Sequence, residues 1–354
     1  MLKTVQACRG GAALLVLVFH TSYLFAMAKY FHSQPFGRVF DFGWAGVDLF
    51  FVLSGFIILH AHRADLGRPE RLPRYLIRRT QRIYPTYWAV LLLITPVFFL
   101  VPSFGDGSQR DPGVIVRSVL LIPQFYGAPV LGVAWSLVFE MFFYLVFALL
   151  LIRRWLGITA FATWFVLLCV GRWPAQYPFD FLGHEYHFRF FAGLMVGEVT
   201  HRWRIPAPRL VAVAGLALFL GTGSLSVHTN LIGLAARSAG LTLGSALLLA
   251  GLVAWERTGL VQVPRLLLFL GDASYSIYLV HYPVLSALSK ATTAARLHTV
   301  VPHGVLFVAF VGVATAAGAL FHVAVERPLR AIGRVKTGAQ KLRPSREAGV
   351  RRAA

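Results

Sequence analysis

The stretch "CRGGAALLVLVFH", residues 8–20, sets the fold. Ten small or apolar residues stand between Arg9 and His20. Carried on to residue 27, the run is long enough to cross a bilayer core of about 30 Å. Ionisable groups inside a membrane are costly and normally face a protein interior, so the two ends of this run need an account. Eleven residues at about 100° each come to about 1100°, which places Arg9 and His20 within about 20° of one stripe and about 16 Å apart along the axis. The stripe passes Ala13 and Val16, small enough to leave a groove. A lone His is most simply a packed core residue and a lone Arg an anchor at the cytoplasmic face. Aligned across a small-residue groove, the pair points to chemistry, because His transfers protons near neutral pH.

The rest of the chain has the same character. It is 354 residues, 57% hydrophobic and only 14% charged. Soluble domains are nearer a quarter charged, so the composition indicates a membrane protein. Ten segments read as spans: 7–27, 42–61, 84–101, 131–152, 156–171, 187–200, 208–224, 231–254, 266–289 and 303–325. Residues 114–127 are apolar but short and broken by Pro123, which predicts a re-entrant or interfacial half-helix. The expected fold is an all-α polytopic membrane protein of about ten helices. A net charge of +20 raises nucleic acid as a partner, but the position of the charge excludes that reading. With the N-terminus in the cytoplasm, 25 of the 34 Lys and Arg fall on the cytoplasmic side. Both termini are therefore expected inside. The transmembrane domain is expected over 1–329. The tail over 330–354 is basic and is expected to be disordered against anionic lipid. Lys3 and Arg9 followed by an apolar run and Ala26-Met27-Ala28 resemble a signal peptide, but the run is long and many spans follow. Cys8 and Cys169 imply no disulfide framework.

Further polar groups lie within the spans. Asp48, in "WAGVDLFFVLSGF" (44–56), falls at about the depth of His20, where it would orient the imidazole. Ser54-Gly55 lies near mid-membrane, as part of a site or as a packing surface. "YLIRRTQRIYPTYW" (75–88) enters from the cytoplasm with Pro85 expected early in its helix; Arg79 and Arg82, three apart, share a face suited to phosphate. Lipid headgroups are the simpler partner for them. Glu140, in "VAWSLVFEMFFY" (133–144), lies about 13 Å inside the fourth span. Tyr278 and His281, in "GDASYSIYLVHYP" (271–283), reach the outer half as candidate pore or acceptor residues. Glu326, in "VERPLR" (325–330), stands at the inner boundary in the same candidate role. His184-Glu185-Tyr186-His187 lacks zinc-helix spacing, and no metal site or bound cofactor is expected.

Six elements, Arg-x10-His, "GVDLFFVLSGF", "RRTQRIYPTYW", "WSLVFEMFFY", "SYSIYLVHYP" and "VERPL", resemble the membrane-bound acyltransferase family 3 in order, over residues 9–329. "GRPERLPRYLIRR" is most similar to the exopolysaccharide-acetylating branch. The resemblance implies an acyltransferase of the bacterial inner membrane that uses acyl-CoA as donor. It implies that Arg9 and His20 are needed for transfer and that Arg79 and Arg82 serve the acyl-CoA end. An extra hydrolase-like domain found in part of the family is not seen, so acceptor capture is expected from the membrane domain or a partner in polysaccharide assembly.

On this reading acyl-CoA, expected to be acetyl-CoA, enters from the cytoplasm. Its arm, on the order of 15–20 Å long, matches the Arg9–His20 rise of about 16 Å. His20 would act as base on a hydroxyl of a saccharide or lipid-linked saccharide, with its tautomer fixed by Asp48 or Glu140. A covalent acyl intermediate on His20 or Ser54 stays open. The rival reading is a transporter or flippase of a lipid-linked saccharide, which also carries ionisable groups near the midplane. No inverted repeat supports it.

Overall fold

Lys3 to Ala26 form one unbroken helix, α1. The computed structural model describes residues 2–124, 127–229 and 232–332, and over these the chain is helical with no strands. No side chain of its own caps α1. The cap comes from Glu256, the last residue of α10 (Leu234–Glu256). Its carboxylate accepts from the backbone N of Lys3 at 2.7 Å and of Thr4 at 2.8 Å, and from Thr4 Oγ1 at 2.6 Å. A carboxylate is unfavourable at the C-terminus of its own helix and favourable at the N-terminus of another, so the contact couples the two ends.

The order continues with α2 (Gly46–His62), α3 (Leu72–Leu100), α4 (Pro112–Leu120), α5 (Trp135–Ile152) and α6 (Arg154–Val170). The single turn α7 (Phe179–Leu182) precedes α8 (Tyr186–Arg202) and α9 (Pro208–His228). After α10 come α11 (Arg265–Ala294) and α12 (His303–Phe321). A π-helical turn, His322–Glu326, extends α12. Helix α1 packs on α2, α10, α11 and α12 and so lies at the centre of the bundle; α2 packs on α8, and α5 on α3 and α6.

Backbones approach closely where small residues allow it, which is how membrane helices gain packing without a hydrophobic drive between them. On α2, a Cβ added at Gly55 would collide with the Phe190 carbonyl and with Gly193 of α8. On α1, a Cβ at Gly10 would come within 3.0 Å of the Gly271 nitrogen of α11. The Gly55 half of Ser54-Gly55 is thus a packing surface.

Helix α3 differs from the expectation. It starts at Leu72, a full turn and more before the expected span at 84, and Pro85 is interior. Membrane helices accept such prolines because neighbours re-satisfy the freed carbonyl. Arg78, Arg79 and Arg82 therefore stand on one continuous helix but in different surroundings, Arg78 exposed, Arg79 buried and Arg82 between the two. The segment 114–127 contributes the nine-residue helix α4, too short to span; residues 125 and 126 lie outside the described residues. Its last carbonyls, orphaned as at any helix end, accept from α3: Tyr87 Oη to Ser118 O at 2.7 Å, Trp88 Nε1 to Val119 O at 2.9 Å and Tyr84 Oη to Leu120 O at 2.8 Å.

A helix stands at each of the ten expected segments, and seven helical stretches are long and apolar enough to cross a membrane: 3–26, 41–65, 69–100, 132–152, 208–228, 234–256 and 303–332. Helices α6 and α8 have 17 residues each, below the usual spanning length. Helix α11 has 30, interrupted by Asp272, His281 and Lys290. The expected tail falls on residues 333–354, outside the described residues, apart from its first three.

Asp48 is not beside His20. It is fully buried on α2 and accepts a short hydrogen bond from Arg189 Nε of α8, itself 1% exposed. Arg189 also lies over the Tyr186 ring at 4.8 Å and reaches Glu185 at 3.5 Å. Equal depth does not imply contact, because Asp48 points towards α8 and His20 towards α11. The ion pair joins α2 to α8 about two turns of α2 away from the Gly55–Gly193 contact.

Two outcomes follow from this packing. Gly55→Val should lower stability in detergent by about 1–3 kcal/mol, the usual overpacking cost. Gly312→Val, where an added Cβ meets nothing within 4 Å, should leave the thermal midpoint unchanged. Asp48→Leu or Arg189→Met alone should cost about 3–5 kcal/mol by stranding a buried charge, and the double variant should be more stable than either. Midpoints from detergent melts of the six proteins, wild type included, check both; singles as stable as wild type would remove the ion pair from the account.

Candidate active site

Helix α11 lies against the whole length of α1, so the outer half of α1 faces the outer half of α11. That register brings His281 to His20. The rings stand 5.0 Å apart, with His281 Nε2 3.1 Å from His20 Nδ1. The protons can be assigned from the partners. His281 Nδ1 lies 3.1 Å from the Ile277 carbonyl, which can only accept, so Nδ1 carries the hydrogen and Nε2 the lone pair. His20 Nδ1 faces that lone pair and the Val16 carbonyl, at 3.0 Å, so it too carries the hydrogen and donates to both. The lone pair of His20 is then left on Nε2, the position of a base. Tyr282 and Phe19 pack at 5.2 and 5.0 Å from the ring, which is half-buried. His281 is fully buried.

His281, an expected pore or acceptor residue, therefore occupies the place beside His20 that was expected of Asp48 or Glu140. Glu140 is engaged elsewhere: it accepts from Ser54 Oγ at 2.9 Å and, in a short hydrogen bond, from Tyr144 Oη. Neither carboxylate touches His20.

The expected groove along α1 is closed. Ala13 and Val16 are fully buried, and a Cβ at Gly46 of α2 would already strike Val16. The open space runs beside α1 instead. A narrow cavity of about 60 Å³ lies between α2, α3, α5 and α11. Arg9 is the sole lining residue from α1; Arg82, Ser54, Glu140, Tyr275 and Tyr278 are among the others. Its outer end is formed by Ser136 and Tyr278, whose hydroxyls lie 2.7 Å apart, and Tyr278 Oη also donates to Val133 O at 2.9 Å. The Tyr278 ring is 5.8 Å from the ring of His281, so the cavity ends one aromatic residue short of the imidazole pair.

Charge in the inner half is mixed. Arg9 is buried within the field of Arg82 and Arg330, which repel it, and of Glu140 and Glu326, which attract it. Arg79 is separated from this set. It is 6% exposed and lies over the rings of Tyr75 and Tyr144, 5.8 and 5.1 Å away, off the cavity lining. Glu326 is also off the lining; fully buried, it accepts from Ser276 Oγ at 2.6 Å and His322 Nδ1 at 2.7 Å and pairs with Arg330 at 2.6 Å. So the structure gathers Arg9, Ser54, Arg82, Glu140 and Tyr278 around one space, sets His20 and His281 just beyond it, and leaves Asp48, Arg79 and Glu326 in separate polar networks.

Tyr144, Ser136 and Arg189 were not singled out from the sequence. The first two stand four residues after and before Glu140, on its helical stripe, a spacing that would have found them. Arg189 lies inside an apolar segment, which is itself a signal.

Comparison with known proteins agrees with the six sequence elements. Residues 2–323 match the family model described as an acyltransferase domain. The chain is 32% identical over 321 residues to the exopolysaccharide production protein ExoZ of Rhizobium meliloti (strain 1021), covering 86% of this chain and 96% of that one. It is 27% identical over 379 residues to the acyltransferase MdmB of Streptomyces mycarofaciens, covering 94% and 93%. No solved structure matches. A match over nearly the whole of the helical bundle, cavity and histidine pair included, shows that this chain belongs to the acyltransferase family of membrane proteins.

Proposed function

We propose that the protein transfers an acyl group, acetyl by preference, from cytoplasmic acyl-CoA to a hydroxyl of an exopolysaccharide sugar or its lipid-linked precursor. The observation that carries this is the cavity that is lined by two guanidinium groups and ends one aromatic residue short of a hydrogen-bonded pair of imidazoles. The name of the Rhizobium meliloti relative supports an exopolysaccharide acceptor. The bacterial inner membrane, with both termini and the Lys/Arg-rich loops inside, fits a donor made in the cytoplasm.

In this mechanism Arg9 and Arg82 hold the phosphates of the donor at the inner end of the cavity, where guanidinium groups bind phosphate best. The extended arm lies along Ser54 and Glu140. His20 Nε2 takes the proton of the acceptor hydroxyl as the oxygen attacks the thioester, then returns it to the departing thiolate. His281 is a positioning residue that keeps the hydrogen of His20 on Nδ1. Asp48 has no part in the step; its role is the α2–α8 ion pair. Direct transfer needs no acyl-enzyme, and Ser54 donates to Glu140 rather than to a histidine as a nucleophile would.

His20→Ala should abolish acetyl-CoA-dependent thiol release in membrane vesicles and remove the ester acetyl groups from the cell's polysaccharide. The protein should still be inserted at wild-type level, because His20 is not among the fully buried side chains. His281→Ala should lower kcat by about 10²–10⁴-fold with donor KM little changed. Arg82→Ala should instead raise donor KM by about tenfold or more, the loss of one charge-assisted contact. Thiol release by His20→Ala vesicles at the wild-type rate would sink the reading, and a transporter would release no thiol in any variant.

A further inference from the structure

The cavity and the imidazole pair do not quite meet, and Tyr278 lines the one and packs against His281 of the other. Tyr278 stands three residues before His281, so both lie on one face of α11. The ring is 6% exposed and held edge-on by Phe50 at 5.7 Å. Its hydroxyl lines the outer end of the cavity with Ser136. A thioester that enters past Arg9 and Arg82 therefore reaches Tyr278 before it can reach His20.

The hydrogen bonds at this end contain a spare donor. Tyr278 Oη is 2.9 Å from Val133 O, Ser136 Oγ is 3.2 Å from the same carbonyl, and the two hydroxyls are 2.7 Å apart. Two O–H groups thus converge on one carbonyl. Either can leave it without stranding a buried acceptor, since the other remains. Ser136 is the better placed to stay, because it belongs to the helix that begins just after Val133. Tyr278 is then free to turn its hydrogen into the cavity.

We propose that the Tyr278 hydroxyl is a catalytic donor that stabilises the oxyanion formed on the thioester carbonyl, with Ser136 as the positioning residue that takes over Val133 O. This rests on the acyl-transfer reading above and adds a second group to its chemistry. As the acceptor oxygen bonds to the carbonyl carbon, its proton passes to His20 Nε2 and the π pair of the carbonyl moves onto oxygen. Tyr278 O–H donates to that oxygen. When the intermediate collapses, the C–S bond breaks, the carbonyl re-forms, and the proton on His20 goes to the thiolate sulfur. The products are the ester and free CoA, and no oxidant or further reactant is needed. Removed from water, one well-placed donor of this kind changes rates by about 10²–10³-fold.

Tyr278→Phe keeps the ring and removes only the hydrogen, and Val133 O keeps Ser136 as a partner, so the variant should fold. The assay is thiol release from acetyl-CoA by membrane vesicles, with and without de-acetylated polysaccharide from the same cells as acceptor. The expected result is a kcat about 10²–10³-fold lower at an unchanged donor KM, with Ser136→Ala showing a smaller loss. Wild-type kcat in Tyr278→Phe would overturn the proposal. So would faster thiol release in the absence of acceptor, because that is how a mere plug behaves when its hydrogen bonds are cut. If wild-type vesicles release no thiol at all, the acyl-transfer reading fails and takes this proposal with it; if wild type turns over and Tyr278→Phe equals it, only the Tyr278 role fails.

Discussion

An arginine and a histidine on one stripe of an apolar helix can persist inside a membrane only if neighbouring helices enclose them with partners. The whole bundle answers that constraint. Helix α1 sits at the centre, contacted by α2, α10, α11 and α12, and its charged N-terminal end is closed by Glu256 from α10. Gly10 and Gly271 bring α1 and α11 close enough for the two imidazoles to meet about 15 Å further along the helices. The packing glycines and the histidine pair are thus parts of one solution: the first set the distance that the second requires.

Polar groups in the bundle fall into three networks with different physical roles. Asp48 and Arg189 neutralise each other in a fully buried pair between α2 and α8. Glu326, Ser276, His322 and Arg330 form a second set where α11 meets the end of α12, with Glu326 fully buried and Arg330 partly exposed. The third, with Arg9, Arg82, Ser54, Glu140 and Tyr278, surrounds the cavity between α2, α3, α5 and α11, whereas the second meets a separate surface pocket through His322 and Arg330. In a low-dielectric interior a closed pair stabilises or merely offsets its own desolvation, whereas groups around a cavity remain available to a ligand. That difference, not residue type, separates the structural carboxylates from those at the site.

In the proposed mechanism the base is prepared without a carboxylate. A carbonyl fixes the hydrogen of His281, and His281 with a second carbonyl fixes that of His20. No net charge is buried, which suits the outer half of an apolar bundle better than an aspartate beside an imidazole would. The expectation that Asp48 fulfils this role came from its matching depth, and it failed because a stronger partner, Arg189, was in reach on a helix whose neighbours could not be foreseen.

Depth was legible in the sequence. A fixed rise per residue and the need for apolar runs place Arg9 near one face, His20 and His281 towards the other, and Glu140 between, and six motifs in order named the family. The stripe joining Arg9 to His20 likewise needs only the helical repeat. Which helix faces which was decided by the tertiary structure alone. It filled the α1 groove with Val16 and its neighbours, moved the cavity between α2, α3, α5 and α11, turned Asp48 to Arg189, and put Tyr278 at the junction. Periodicity specifies a residue's height and its angle about its own axis, but the choice of neighbour depends on side-chain packing among many helices at once, and no local stretch of sequence contains it.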